Sequence, residues 1–247
     1  SDPAYHLFVA QQVFEAGGPI GYEWWQWAPV GRPHVYPPLV HLLIAGLLGI
    51  GCLPTVAIRL VTAIVVPAVY GTIYVVSARL FGGQVALCAL WLALVPFGFS
   101  LHIAGTLASG LALIELLWFM VAIVERRAVA AACLLALMCY THLGIPWVAL
   151  ASVGGAVLLR AMPADRRLWG GLGAGMLFGV PWLGHLLRHL SALHIIRRAE
   201  NELIDLTPAL LLFGLVGVWY AWKRQGRWRL WLAVWCGLRI GRVVTIG

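Results

Sequence analysis

Pro38-Leu39-Val40-His41-Leu42-Leu43-Ile44-Ala45-Gly46-Leu47-Leu48-Gly49-Ile50 is apolar apart from one imidazole, yet it is shorter than the other apolar runs that matter in this chain. As a helix its thirteen residues reach ~20 Å, against a hydrocarbon core of ~30 Å. It therefore reads as a helix lying in, or dipping into, one membrane interface. The choice decides the fold, because counting this run as a crossing reverses the sidedness of every segment after it.

Working outward, the rest of the chain is mostly membrane-soluble. Hydrophobic residues make up 62% and charged residues 11%, with a mean hydropathy of +0.91. Soluble domains average roughly 45–50% apolar and about 25% charged. The composition implies a polytopic membrane protein, all-α because a helix pairs every backbone group within its own segment. Eight apolar runs are predicted to span, at 54–78, 84–100, 107–124, 128–141, 145–160, 168–187, 207–222 and 228–241. Residues 1–53 form a first unit outside the bilayer and residues 54–247 the helical bundle. The opening Ser1-Asp2-Pro3 carries no basic and apolar secretory leader, and a preceding span is expected.

Basic residues fix the orientation, since Lys and Arg in short loops stay cytoplasmic. One set of loops carries Arg79, then Arg126-Arg127, then Arg160, Arg166 and Arg167, then Lys223, Arg224, Arg227 and Arg229. The alternate loops, Leu101–Ser109 and Tyr140–Pro146, carry none. The N-terminal unit is thereby extracytoplasmic. The loop from Arg188 to Thr207 sets Arg188, Arg197 and Arg198 against Glu200, Glu202 and Asp205. The net charge of +8 is spread over these clusters with no aromatic interleaving, which argues against nucleic acid as a partner. Five cysteines, an odd number without a CxxC, give no disulfide or zinc framework. All eight histidines fall in outer loops or at the outer ends of spans, together with Asp2, Glu15 and Glu23. Ionisable groups converge on the outer face.

Two motifs in that outer unit carry a family likeness. Asp2-Pro3-Ala4-Tyr5-His6-Leu7 is followed by Tyr36-Pro37-Pro38-Leu39-Val40-His41-Leu42-Leu43, and later by Ala78-Arg79-Leu80-Phe81-Gly82. Over roughly the first 125 residues the chain resembles the catalytic subunit of oligosaccharyltransferase and related type-C (GT-C) membrane glycosyltransferases. The resemblance implies a GT-C-like bundle with a short outer helix before the next span. It implies a polyprenyl-phosphate-linked sugar as donor. It also implies that Asp2 helps bind the acceptor and a divalent metal, Mg or Mn. A carboxylate suits both tasks, as an oxygen ligand for a hard cation and as a proton acceptor. Asp2 before Pro3 is equally a helix cap.

One departure from the family pattern is plain. The second acidic motif would fall at Ala108 and Gly110, within His102-Ile103-Ala104-Gly105-Thr106-Leu107-Ala108-Ser109-Gly110. Half of the implied metal site is therefore missing. His102 is a candidate substitute ligand or substrate contact, against the commoner role of an interfacial, hydrogen-bonded imidazole.

Other candidates are His6 beside Asp2, and Arg59 and the pair Arg197-Arg198, whose guanidinium forks match donor phosphate oxygens. Arg59 is at a position where the resembling family also carries a basic residue; snorkelling to headgroups explains it equally well. Glu115, well inside the third span, is either functional or a neutral acid bonded between helices. His185 and His189, at i and i+4, share a helix face without a third metal ligand nearby. Tyr22, Trp24, Trp25 and Trp27 read as an interfacial aromatic belt or a sugar-stacking platform. Glycines at 170, 171, 173 and 175 are expected to permit close helix approach.

Two functions follow as expectations. One is a glycosyltransferase acting at the outer face, in contact with membrane lipid and a lipid-linked sugar donor. The alternative is a non-catalytic subunit of the same fold that binds a partner membrane protein or a lipid. A transporter is a weaker third reading: Pro67 and Pro181 are candidate helix breaks, but no inverted repeat is visible.

Overall fold

The computed structural model describes residues 2–25, 29–95, 97–158 and 165–189, the side chains of residues 2, 97 and 158 excepted. The described part is helical, with one two-residue strand pair, and divides into two compact units. The first comprises Ser1–Ile145 and Arg167–His189. Within the second, the described helix is α8 (Ile145–Leu158).

The first unit begins with α1 (Asp2–Glu15), where Pro3 occupies the first turn and its missing N–H costs no hydrogen bond. The helix stops at Gly17, whose φ of 69° lets the Gly18 amide reach back to the Val13 carbonyl at 3.0 Å. The chain then returns along α1 through β1 (Tyr22–Glu23) and β2 (Arg32–Pro33), which pair antiparallel with Glu23 opposite Arg32. After Pro37-Pro38 comes α2 (Leu39–Gly49), eleven residues and so ~16 Å long. This is the short helix expected from the sequence. Its face of Val40, His41, Ile44 and Ala45 is buried. His6 touches His41, and the Phe14 ring lies 3.7 Å from where a Cβ on Gly49 would sit. Contacts 6 to 41 and 14 to 49 make α1 and α2 parallel neighbours.

Next come α3 (Pro54–Phe81), α4 (Gly83–Leu94), α5 (Phe97–Gly105), α6 (Leu107–Val124), α7 (Ala128–Thr141) and α9 (Arg166–Arg188). α3 buries a stripe at i, i+4 spacing, Ala57, Val61, Val65 and Val69, against its neighbours. α6 is the central helix: 61% of its apolar window is buried, against 28% for α3 and for α9. α9 meets α7 through glycine. A Cβ on Gly171 would lie 2.7 Å from the Ala128 carbonyl oxygen, one on Gly175 2.6 Å from that of Ala132, and one on Gly179 2.8 Å from Cys139 Sγ. Gly171 and Gly175 thus do what the sequence reading asked of them; Gly170 and Gly173 face open space.

Among the described residues three helices, α3, α6 and α9, are long and apolar enough to cross a bilayer, consistent with a membrane protein. The run at 84–100, read as one straight span, is instead α4 and α5 with a bend of 78° between them. Pro96 lies between the two helices, and proline both lacks an N–H and clashes with the preceding turn. The runs at 128–141 and 145–160 are helices of 14 residues, ~21 Å, shorter than the hydrocarbon core. Those at 207–222 and 228–241 lie outside the described residues.

Two ends of the first unit differ in character. At one, Glu125 joins Arg79, from the last turn of α3, to Arg127, whose Nε is 2.8 Å away. The N-terminal half of α9 packs beside Ala128 at this same end. Toward the C-terminus of α9, His185 Nε2 donates to the His34 carbonyl at 2.7 Å, tying the helix to the α1–α2 region.

Candidate functional site

Gly31 sets up the site. Its φ is +71°, and a Cβ there would come within 2.6 Å of the Tyr22 ring and 2.7 Å of the Glu23 carbonyl oxygen. Only glycine fits this approach. The strand pair that follows places Arg32 beside Glu23, with Arg32 Nε 3.2 Å from Glu23 Oε2. Glu23 Oε1 accepts from the Tyr5 hydroxyl at 2.8 Å and from His34 Nδ1. A fully buried carboxylate thereby has both oxygens occupied by donors from α1, β2 and the segment before α2.

The electrostatics follow from this geometry. Burial works to raise the Glu23 pKa, but hydrogen bonds from His34 and Tyr5, with the charges of His34 and Arg32, hold it below the usual carboxylate range. Burial and the facing carboxylate push the Tyr5 phenol up, so it stays a donor. Beneath this network His6 Nδ1 and His41 Nε2 lie 2.9 Å apart, both rings fully buried. Burial lowers His6 to about 4 and His41 to about 2, with the charge of His34 acting the same way on both and His6 adding to the effect on His41. Tyr36 closes the cluster, its ring 5.2 Å from that of His6 and 5.8 Å from that of Tyr5.

The sequence candidates divide sharply. Asp2 opens α1 one turn before His6, and its side chain lies outside the described residues. Arg197 and Arg198 lie outside them too. His6 is in the cluster. Arg59 on α3 and His102 on α5 are exposed and take no part in its hydrogen bonds; the His102 carbonyl receives the Thr106 hydroxyl at 2.6 Å. The His185–His189 face exists, with ring centroids 4.9 Å apart, but His185 is engaged with His34 and stacked on Trp182. Glu115 is bonded between helices, receiving Thr141 Oγ1 at 2.8 Å.

The described residues do not fit a divalent metal. No group of three or more His, Cys, Asp and Glu side chains among them is placed to hold one. Ala108 is fully buried, and a Cβ on Gly110 would lie 2.9 Å from Val65 Cγ1. No carboxylate could be accommodated at either place without opening the α3–α6 contact. Sequence reasoning passed over Glu23, Tyr5, His34 and His41 as a unit. The available signal was a lone acid upstream of Gly31-Arg32-Pro33-His34, a turn flanked by donors.

Comparison of the chain with protein-family models, curated proteins and solved structures gives no match.

Proposed function

We propose that this chain is a GT-C-like membrane glycosyltransferase that draws on a polyprenyl-phosphate-linked sugar at the extracytoplasmic face. The observation that carries the reading is the His6–His41 contact at 2.9 Å. It joins the Asp2-Pro3-Ala4-Tyr5-His6 and Tyr36-Pro37-Pro38-Leu39-Val40-His41 motifs, quoted independently for the resemblance, into one packed body. The helix register sets Asp2 one turn from that anchor, a rigid mount for a reacting carboxylate. Sidedness has support as well. Arg79 and Arg127 meet at one end of the first unit, whereas the far end of α9 meets the cap, as an outer cap and inner arginines require.

In this reading an acceptor nucleophile attacks the sugar C1 and passes its proton to Asp2. The C1–O bond to phosphate breaks, and the phosphate oxygen leaves with the bonding pair. Arg59 and Arg197-Arg198 stabilise the negative charge it gains. No step runs through a metal.

The close packing at Ala108 and Gly110 favours a second reading, a non-catalytic subunit that binds a lipid or a partner membrane protein. The test is turnover of polyprenyl-phosphate sugars by the full chain in lipid nanodiscs, with Asp2→Asn as control. Sugar release by the parent, reduced at least about a hundredfold in the variant, supports catalysis. No release from any donor, or equal release by the variant, sinks it.

A further inference from the structure

On the flank of the cap lies an open depression of about 680 Å³ between the later turns of α1 and the returning chain, lined among others by Gln12, Glu15, Ile20, Tyr22, Trp24 and Trp25. Its volume is in the range of small-molecule sites, roughly 300–1,000 Å³. The lining chemistry is selective. Among the described residues no Lys, Arg or His lines it, so none of them neutralises a phosphate. Trp24 is 69% exposed and braced by Tyr22, ring centroids 4.5 Å apart at 49°. Trp25 lines it as well and packs on Phe8, with centroids at 4.1 Å. Trp24 therefore offers an exposed indole face, flanked by Tyr22 and Trp25. Beside it stand an acceptor-only carboxylate, Glu15, and a carboxamide that both donates and accepts, Gln12.

From this we infer that the depression binds a neutral oligosaccharide. The apolar face of one sugar ring lies on Trp24, and its hydroxyls donate to Glu15 and exchange hydrogen bonds with Gln12. The inference deepens the glycosyltransferase reading and rests on it for biological context, naming the glycan-bearing substrate's contact outside the reaction centre.

The test uses no donor, so it can fail separately from turnover. Diacetylchitobiose, mannotriose, maltotriose and phosphocholine are titrated into the full chain in detergent by calorimetry, with Trp24→Ala and Glu15→Ala alongside. Both residues are exposed, so neither change empties the core. The expected result is saturable binding of at least one of the three oligosaccharides, weakened at least about threefold by each substitution and unaffected by excess phosphocholine. Binding of phosphocholine alone, binding of no saccharide, or saccharide binding that both variants leave unchanged would overturn it. An enzyme that turns over donor yet gives one of those outcomes keeps its function and loses this subsite.

Discussion

His6 and His41 meet nitrogen to nitrogen at 2.9 Å, and the far nitrogen of each ring, His6 Nε2 and His41 Nδ1, is buried without a partner. Two neutral imidazoles share one proton across this contact, so one far nitrogen carries an N–H and the other a lone pair. A second proton would put a cation in a buried, apolar place beside His34.

That arrangement makes the cap acid-sensitive. Unfolded, each imidazole takes up a proton near pH 6.5; folded, His6 does so only near about 4 and His41 near about 2. The unfolded chain binds more protons in that interval, so stability present above pH 6.5 is lost as pH falls toward 4. Glu23, held below the usual carboxylate range, adds a further loss once pH drops through its folded pKa. The unfolding midpoint in detergent is expected to decrease steadily from pH 7 to pH 5, with a shallower slope in His6→Gln. Equal slopes in parent and variant would show that the pair does not govern the response.

Gly31→Ala tests the turn that delivers Arg32 and His34 to Glu23. A left-handed φ costs an alanine about 1–2 kcal/mol, and the added methyl must also displace the Tyr22 ring and the Glu23 backbone. The variant is expected to unfold at clearly lower temperature, and its tryptophan emission to shift as Trp24 and Trp25 lose their settings. Gly18→Ala, where a Cβ meets open space, serves as control and leaves both signals in place. Matching melting curves for the two variants would remove the turn from the argument.

What the sequence revealed, and what it hid, follows from the range of the interactions involved. The short α2 and the helices at 54–81 and 107–124 were legible because run length alone separates them. The bend between α4 and α5 was not, because the apolar run continues through Pro96 and hydropathy ignores a missing N–H. The two-residue ladder is too short for any period-2 signal; its register comes from Gly31. Arg32 and His34 stand near Glu23 in sequence, but Tyr5 reaches it from 18 residues away and His41 reaches His6 from 35. Those partners became visible only once α1 and α2 were packed side by side.

The α7–α9 contact offers a test within one helix. Gly175→Ala drives a methyl toward the Ala132 carbonyl at 2.6 Å, against rigid backbone, so the helices must separate at about 1–3 kcal/mol. Gly173→Ala adds the same methyl where nothing lies within 4 Å, and the gain in helix propensity makes it neutral or slightly stabilising. Melting temperatures should therefore move in opposite directions, or only Gly175→Ala should fall. If both variants shift alike, glycine packing does not hold this pair together.

Glu115 and Thr141 supply the last test, on the α6–α7 pair. The single hydroxyl proton of Thr141 has two acceptors at 2.8 Å, Glu115 Oε1 and the Leu137 carbonyl. A carboxamide of the same shape relieves that competition, since its NH₂ donates to Thr141 Oγ1 and leaves the hydroxyl free to donate to Leu137. Glu115→Gln is expected to stay within about 1 kcal/mol of the parent. Glu115→Lys brings an ammonium into an apolar interface, at a cost of about 3 kcal/mol or more. Thr141 can then offer it only hydroxyl lone pairs, too little to replace water. The lysine variant should express poorly and melt early in detergent, while the glutamine variant should track the parent. A lysine variant as stable as the parent would mean that Glu115 faces water rather than the α6–α7 contact.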